Sequence, residues 1–180
     1  MNENLVKLFS EIYTIGHSNH KSDELIKLLN QYQIEILVDV RSNPYSRYSP
    51  QFNKELLRQI IEISGIKYLF LGNLIGGRPE DERFYDINGQ VRYDQIEQTP
   101  HFQEGINRLL KEIQSYKIAI LCGEEDPMHC HRRLLIGRVL SKHGIRILHI
   151  RGNGQIQAEE ELASIEASVK GTKQMNLPFM

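Results

Sequence analysis

Both cysteines of the chain lie in one short segment, CGEEDPMHCHRR at positions 122–133, among acids and histidines. Cysteine and histidine are zinc ligands, a thiol with a lowered pKa is a nucleophile, and a carboxylate can handle protons as a general acid or base. The segment therefore predicts a reactive site, with Cys122 and Glu124 as candidate catalytic residues.

A metal centre is the first alternative for this segment. Residues 129–131 are consecutive, and on a helix consecutive side chains point about 100° apart, so the three cannot all meet one ion. Cys122 and Cys130 with one histidine would form a possible set, but the usual spacing of two residues between zinc ligands is absent. We therefore predict no metal and no cofactor.

A reactive thiol is the second alternative. Cys122 follows a predicted strand and faces the start of a predicted helix, a position that lowers the pKa of a thiol. Three acidic residues follow it and oppose a thiolate, and Met128 stands where phosphatase-type spacing requires arginine. Each cysteine can equally be a buried structural thiol. Glu124 is the better placed acid or base, and Arg132 or Arg133 can reach back to the site.

A second polar group follows another apolar run. Asp39 lies near its end, and Arg41 lies two residues on, on the same face of an extended chain. A buried carboxylate is costly unless it is paired, so one interpretation is a structural ion pair. In the other, Asp39 orients a substrate hydroxyl or a base and Arg41 binds an anionic group. The loop that follows adds Arg47 between Tyr45 and Tyr48, a composition that suits phosphate and ring contacts.

Gly16, His17 and Ser18 form the third polar group, at a turn after a strand. Glycine permits a sharp turn whose backbone N–H groups, with the Ser18 hydroxyl, can hold an anion. His17 is a candidate general acid or base. The alternative is a structural turn in which the imidazole only forms hydrogen bonds.

These residues must be positioned by an alternating set of strands and helices. Apolar runs predict strands at 12–15, 34–40, 67–71, 117–122 and 145–150, and helical periodicity predicts helices at 22–31, 53–64, 102–114, 126–142 and 157–170. The alternation favours a three-layer, Rossmann-like α/β fold with a central, mainly parallel sheet of about five strands. We predict a single domain over 1–180, with a loose tail at 171–180.

Polar residues follow every predicted strand, including Asn73 after the third. Ligands bind outside the carboxyl ends of the strands in open α/β sheets, so the polar residues predict one shared site if the strands are parallel. The long, weakly periodic segment 72–99 carries aromatic and arginine residues. Structureless loops of this length are usually functional, and we predict a lid or wall over the site.

The composition is that of an ordinary globular protein: 180 residues, 40% hydrophobic, 25% charged and a net charge of −1. The charge argues against binding nucleic acid through bulk charge, but a local basic cleft stays open. The apolar runs are far shorter than the ~20 residues of a membrane helix, and the first residues show no signal or lipidation pattern. Two cysteines do not make a disulfide framework. We expect a soluble, cytoplasmic protein without a membrane partner; its oligomeric state is not predicted.

Four blocks resemble the family of domains of unknown function four-eight-eight (DUF488). They are TIGHSNH at 14–20, LVDVRSNPYSR at 37–47, LGNLIGGRP at 71–79 and LCGEEDPMHCHRR at 121–133. The resemblance covers about 12–150. It implies a site that includes Ser46 and Arg47, Gly76 to Arg78, and Cys130 with His131, but it implies no activity. A looser similarity to rhodanese-type domains rests on Asp-Val-Arg and a cysteine at a strand end, although acids follow Cys122 here.

Together these features predict an enzyme of hydrolase or transferase type with an arginine-rich cleft at the carboxyl ends of the strands. The cleft would bind an anionic small molecule or nucleotide, with nucleic acid as a further possible ligand. Asp39 and Glu124 would handle protons, and His17 with Ser18 would position the reacting group. The predicted substrate-binding residues are Arg41, Arg47, Asn73, Arg78, Cys130, His131 and Arg132. The alternatives are a non-catalytic binding module and rhodanese-like thiol chemistry through Cys122.

Overall fold

The computed structural model describes residues 10–18 and 20–175, with side chains up to residue 169. Its strands are β1 Glu11–Gly16, β2 Ile36–Asp39, β3 Lys67–Phe70, β4 Ile118–Cys122, β5 Arg146–Ile150 and β6 Ile156–Ala158. Its α-helices are α1 Ser22–Gln31, α2 Lys54–Ile63, α3 Gly72–Ile75, α4 Tyr93–Ile96, α5 Pro100–Ile113, α6 Arg138–Lys142 and α7 Glu159–Met175. Within the described residues, no helix is long and apolar enough to span a bilayer.

The strands form one sheet in the order β3-β2-β4-β1-β5-β6. β1 to β5 are parallel, and β6 pairs antiparallel with β5. The mainly parallel sheet is therefore confirmed, with a sixth strand added at one edge. The order differs from the 3-2-1-4-5-6 order of dinucleotide-binding folds, because β4 lies between β1 and β2. Since β1 to β5 are parallel, their polar carboxyl ends all lie along the same edge of the sheet.

Helices cover both faces of the sheet. Leu37 and Val38 are neighbours in β2 but point to opposite faces. Leu37 packs with Leu25 of α1, and Val38 packs in the other cluster with Ile106 of α5 and Val139 of α6. Because both faces are buried, the strands are almost continuously apolar. The three-layer α/β arrangement predicted from the sequence is confirmed.

The single helix predicted at 126–142 is wrong in its first part. The Asp126 carboxylate accepts from the Met128 N–H and caps a 3₁₀ turn at Pro127–His129, after which Cys130 is extended. The helix begins only with a π-helical stretch at Arg132–Gly137 and continues as α6. Residues 129–131 therefore have three different backbone conformations, 3₁₀, extended and helical, and do not share one helix. Short π-helical stretches are frequent at functional sites.

The C-terminal segment also differs from its prediction. Residues 156–158, partly assigned to a helix, pair with β5 as an edge strand. The helix that follows continues to Met175, into the segment predicted as a loose tail. The rest of that tail, 176–180, lies outside the described residues.

A buried ionisable network joins α7 to the sheet and predicts how stability depends on pH. His149 of β5 is fully buried, and its imidazole lies 2.8 Å from the Thr14 hydroxyl and 3.0 Å from the Glu159 carboxylate, which also pairs with Arg133. Burial lowers the pKa of His149 below 6.5, and the nearby Arg132 and Arg133 lower it further. The hydrogen bonds from His149 and Arg133 outweigh burial and lower the pKa of Glu159 below 4.5.

Both shifts mean that the folded chain binds fewer protons than the unfolded chain in acid. The free energy of unfolding should therefore fall as the pH drops below about 6.5 and fall further below about 4.5. The slope reaches up to about 1.4 kcal/mol per pH unit for each group. Urea unfolding at a series of pH values measures this dependence. His149→Gln should flatten the part of the curve that begins near 6.5, whereas His143→Gln, at an exposed position, should not; identical curves for the two variants would contradict the prediction.

Candidate functional site

A cleft of about 1100 Å³ lies at the carboxyl ends of β2, β3 and β4. The segment 72–99 forms one wall, with α3, a 3₁₀ turn at Glu82–Phe84 and α4. The predicted wall over the site is therefore present, while closure as a lid stays a prediction. Residues on the cleft surface that carry chemistry are Arg41, Asn73, Arg78, Tyr93, Cys122, Glu124, His129 and His131.

Four side chains converge at one end of this cleft. The thiols of Cys122 and Cys130 both donate to Glu124 Oε2, at 2.9 and 3.2 Å. His131 Nδ1 lies 3.5 Å from Cys122 Sγ and 4.0 Å from Cys130 Sγ. The donor atoms of Cys122, Cys130 and His131 all lie within 4.8 Å of one another. We call these three residues the Cys–His cluster.

The imidazole of His131 has a fixed orientation. Its Nε2 lies 3.1 Å from the carbonyl oxygen of Val40. Because a carbonyl only accepts, Nε2 carries the proton, and the lone pair of Nδ1 faces the two thiols. Gly77 packs directly on the ring, since a Cβ at that position would overlap His131 Cβ and Cγ. A glycine at 77 is what allows the cleft wall to hold the imidazole in place.

The charges of this group follow from its hydrogen bonds. Burial alone would raise the pKa of Glu124, but the hydrogen bonds from Cys122, Cys130 and its own backbone lower it to about 2. The carboxylate is therefore deprotonated at neutral pH. The hydrogen bond with Cys122 raises the pKa of Cys130, and burial raises it further. Cys130 is thus a neutral thiol at neutral pH.

Asp39 and Arg41 form an ion pair, the structural interpretation of the two that the sequence allows. Asp39 is fully buried, and its Oδ1 accepts from the backbone N–H and Nε of Arg41 at 3.1 and 2.9 Å. Its Oδ2 accepts from Arg41 Nη2 and the Tyr68 hydroxyl, both at 2.6 Å. Four donors fill the lone pairs of the carboxylate, so Asp39 positions Arg41 rather than handling a substrate proton.

This pairing also sets the charge of Arg41 and the protonation of Tyr68. Burial would lower the pKa of Arg41, but the hydrogen bonds and charge of Asp39 outweigh it and raise that pKa. Burial and the Asp39 carboxylate raise the pKa of Tyr68. Arg41 therefore keeps its charge where it lines the cleft.

His17 lies against this ion pair and behind the cleft surface. Its Nε2 lies 3.2 Å from Arg41 Nη1 and its Nδ1 lies 3.0 Å from the Ser18 carbonyl, while the ring stacks on Phe52. Arginine only donates, so Nε2 accepts and Nδ1–H donates. Burial lowers the pKa of His17, and Arg41 lowers it further. Both ring nitrogens are engaged, which favours a structural role.

The turn at Gly16 to Ser18 does not offer its N–H groups to a ligand. The N–H groups of His17 and Ser18 donate to the carbonyls of Cys122 and Gly123, at 3.0 and 2.8 Å. A Cβ at Gly16 would overlap the carbonyl oxygen of Glu124, so the two loops meet only because this residue is glycine. The turn positions the loop that carries Glu124, and the predicted anion cradle is not formed.

The prediction that Arg132 binds substrate is wrong. Arg132 is fully buried, and its guanidinium donates to the carbonyls of Glu124 and Glu125 and to the Thr14 hydroxyl. Nη1 also lies 3.7 Å from Cys130 Sγ. A ligand in the cleft cannot reach this side chain, so Arg132 acts by tethering the loop of Glu124.

The remaining predicted binding residues divide between the cleft and the outer surface. Asn73 and Arg78 are exposed and line the cleft. Among the described residues, Arg78 has no carboxylate at ion-pair distance. Arg47 is exposed outside the cleft. The cleft surface carries as many carboxylates as arginines: Glu80, Asp81 and Glu124 against Arg41, Arg78 and Arg83. The prediction of an arginine-rich cleft is therefore wrong.

Sequence reasoning missed three parts of the site. Tyr68 reaches Asp39 because β3 pairs with β2, and the carbonyl of Val40 orients His131. Tyr93 lines the cleft, and burial together with the nearby cysteines raises its pKa to about 12. The contact between Tyr68 and Asp39 had one signal in the sequence, a polar tyrosine within a short strand. A backbone carbonyl gives no signal in a sequence.

Residues 21–139, about two thirds of the chain, match the model of a protein family described as Domain of unknown function DUF488. The match includes the segments that contribute Arg41, Arg78 and the Cys–His cluster, and it begins after the turn at Gly16. No curated protein and no solved structure matches the chain.

Proposed function

This chain belongs to the DUF488 family, and we propose that it is an enzyme of hydrolase or transferase type that acts on an anionic, nucleotide-sized substrate. One observation carries the proposal: Glu124 and Arg78 face the same cleft at the carboxyl ends of parallel strands, where ligands of α/β sheets bind. Glu124 offers a deprotonated carboxylate, and Arg78 offers a guanidinium that has no ion-pair partner among the described residues.

The binding end of the cleft is the wall built from 72–99. Arg78 binds an anionic group such as a phosphate, for which its planar fork is suited, and Asn73 adds a hydrogen bond. Phe84 and Tyr93 on the same wall offer ring faces to a base. Arg41, held by Asp39, lines the same cleft from the carboxyl end of β2. A volume of about 1100 Å³ accommodates a nucleotide or the end of a nucleic acid strand.

The reacting end is the group of Glu124 and the Cys–His cluster. Glu124 is deprotonated at neutral pH, as a general base must be before it accepts a proton. His131 is held rigidly by Val40 and Gly77. A substrate anchored by Arg78 would therefore meet a preorganised polar group in the same cleft, which is the arrangement that hydrolysis or group transfer requires.

Variants in the two ends should separate binding from chemistry. Nucleoside mono-, di- and triphosphates and phosphodiesters are incubated with the protein, and products are followed by phosphorus NMR and mass spectrometry. With the substrate so found, Glu124→Gln should lower kcat about 100-fold with little change in KM. Arg78→Ala should raise KM about tenfold, the loss of one charge-assisted contact.

Two matched controls complete that experiment. Glu62→Gln and Arg58→Ala change the two members of an exposed ion pair on α2, outside the cleft. Both should retain kcat and KM within about threefold, the range of ordinary surface substitutions. Turnover that survives Glu124→Gln would contradict the proposal. Tight binding without turnover of any compound would instead identify a non-catalytic binding module.

Thiol chemistry at Cys122 is the second candidate function, and one observation favours it. Cys122 Sγ lies 3.5 Å from His131 Nδ1, and the other ring nitrogen is oriented by Val40, which is the arrangement of a nucleophile, its base and an orienting group. Against it, the Cys122 thiol donates its hydrogen to the Glu124 carboxylate, at 2.9 Å, rather than to His131. Two neighbouring free thiols fit a reducing compartment, and we place either activity in the cytoplasm.

A further inference from the structure

We infer that the Cys–His cluster, Cys122, Cys130 and His131, binds one divalent transition metal ion, with zinc as the preferred metal. The sequence predicted no metal for two reasons: residues 129–131 were expected on one helix, and the set of Cys122, Cys130 and one histidine lacks the usual spacing of two residues between zinc ligands. The structure contradicts the first reason: His129 ends a 3₁₀ turn, Cys130 is extended, and His131 lies at the start of the next helix. The change of backbone direction at Cys130 brings its sulfur and the His131 imidazole to the same point.

The distances within the cluster match a shared ion. With zinc–sulfur and zinc–nitrogen bonds of about 2.3 and 2.05 Å, a tetrahedral angle separates sulfur from nitrogen by about 3.6 Å. The two observed separations between sulfur and His131 Nδ1 are 3.5 Å, to Cys122, and 4.0 Å, to Cys130. The sulfurs themselves lie within 4.8 Å of each other. Only small side-chain movements are needed to bring all three atoms onto one ion.

The surroundings of the cluster are those of a metal site. A histidine ligand normally donates its second ring N–H to a carbonyl or carboxylate, which fixes the tautomer. His131 does this with the Val40 carbonyl and leaves Nδ1 unprotonated towards the thiols. The guanidinium of Arg132 lies 3.7 Å from Cys130 Sγ and offsets the negative charge that a bound thiolate brings. These contacts exist around the cluster independently of any role in catalysis.

The donor set selects the metal and the type of site. Two thiolates and an imidazole favour zinc over magnesium or calcium, which require oxygen ligands. Three protein ligands leave the fourth position open, as in catalytic zinc sites. Cys122 and His131 line the cleft, so we expect the open position to be reached from it. Glu124 lies outside the three-residue set but 2.9 Å from Cys122 Sγ, two residues after that ligand. Zinc deaminases place their general acid or base in the same way relative to the first ligand.

The role of the ion rests on the proposed function, whereas its binding does not. Ion binding displaces the two thiol protons to solvent. A water molecule on the ion then loses one proton to Glu124, its oxygen forms a bond to the electrophilic phosphorus or carbon of the substrate, and the bond to the leaving group breaks. Glu124 returns the proton to the leaving group, so water is consumed and no oxidant or reductant is needed.

Direct metal titration tests the assignment without a substrate. The reduced protein is stripped with a chelator, titrated with zinc against a chromophoric chelator, and titrated separately with cobalt. We expect one ion per chain and a thiolate-to-cobalt charge-transfer band. Cys130→Ser and His131→Gln should each weaken zinc binding at least about 100-fold. His129→Gln, which alters the neighbouring histidine, should bind as the wild type does. Glu124→Gln should keep the ion.

The outcomes separate this inference from the proposed function. The metal site is overturned if the wild-type protein shows no charge-transfer band, a result that does not depend on the folding of any variant. It is also overturned if Cys130→Ser binds zinc as tightly as the wild type. Rapid alkylation of Cys122 by iodoacetamide in the presence of saturating zinc also overturns it and favours the thiol nucleophile. A bound ion without turnover of any substrate supports the metal site and contradicts the proposed function. Turnover by metal-free protein contradicts the role of the ion in the reaction and leaves the proposed function standing.

Discussion

Replacing Arg132 with methionine is expected to lower the free energy of unfolding by about 4 kcal/mol. The guanidinium is fully buried and donates to the carbonyls of Glu124 and Glu125 and to the Thr14 hydroxyl. Methionine has a similar length but no donor, so all three acceptors lose a partner at once. The loop that carries Glu124 also loses its attachment to the helix behind it.

Urea unfolding followed by far-ultraviolet circular dichroism measures this loss. Arg138→Met is the matched control, because Arg138 lies in α6, is half-exposed and pairs with Glu97 at the surface. That variant should lose less than about 1 kcal/mol. Arg132→Lys keeps the charge, but a single ammonium cannot reach three separated acceptors, and it should recover only a small part of the loss. Equal unfolding midpoints for the methionine variants at 132 and 138 would show that Arg132 is not a tether.

A second measurement on Arg132→Met distinguishes a general loss of stability from a loss of the site. At low temperature and without urea, where the variant is still folded, the loop after β4 should be less firmly held. The thiol of Cys122 should then react with iodoacetamide faster than in the wild-type protein, whereas in the control at 138 its rate should not change. Unchanged rates in both variants would limit the role of Arg132 to stability.

Hydrophobic periodicity predicted the fold well wherever local sequence decides the structure. The helix predicted at 22–31 has the same bounds as α1, and the strand predicted at 67–71 differs from β3 by one residue. Both are settled by apolar spacing and by caps or turns within the segment. The parallel direction followed from the alternation of strands and helices, since a parallel pair requires a crossover connection.

Strand order and the irregular segments could not be predicted in this way. The sequence does not show that β4 lies between β1 and β2, because that choice depends on which helix covers which face. β6 is only three residues long and is stabilised by pairing with β5. At 127–130 the helix propensity of the segment is overridden by the Asp126 cap and by the extended backbone at Cys130. Long-range pairing and local capping decide these elements, and neither has a periodic signature.

The location of the cleft was predictable from the sequence, but the contacts of its residues were not. Parallel strands bring Arg41, Asn73 and Glu124 to one edge of the sheet, as their positions at strand ends indicated. Whether a polar residue there faces a ligand or another residue depends on its partners in space. Arg132 turns inward to backbone carbonyls, and Cys130 turns towards Cys122. Spacing in the sequence groups these polar residues together. It does not show which of them already have hydrogen-bond partners within the protein.

Asp39→Asn is expected to lower the free energy of unfolding by about 3 kcal/mol, because it breaks a buried ion pair and leaves a charge without a partner. The carboxylate is fully buried and forms two hydrogen bonds to the guanidinium of Arg41, which is itself largely buried. Asparagine keeps the volume but replaces one acceptor oxygen with an NH₂ group that faces other donors. The guanidinium then stays charged without a counterion, and its position in the cleft is lost.

The double variant Asp39→Asn/Arg41→Gln separates a structural ion pair from a catalytic carboxylate. When both charges are removed, no isolated charge is buried, so the double variant should be more stable than the sum of the two single losses predicts, by at least about 1 kcal/mol. The exposed pair of Asp81 and Arg83 supplies the comparison, because Asp81→Asn should leave the unfolding midpoint unchanged. Additive losses at 39 and 41 would show that the two residues are not coupled. Asp39 would then be free to handle a proton in the reaction, and the positioning role assigned to it would be wrong.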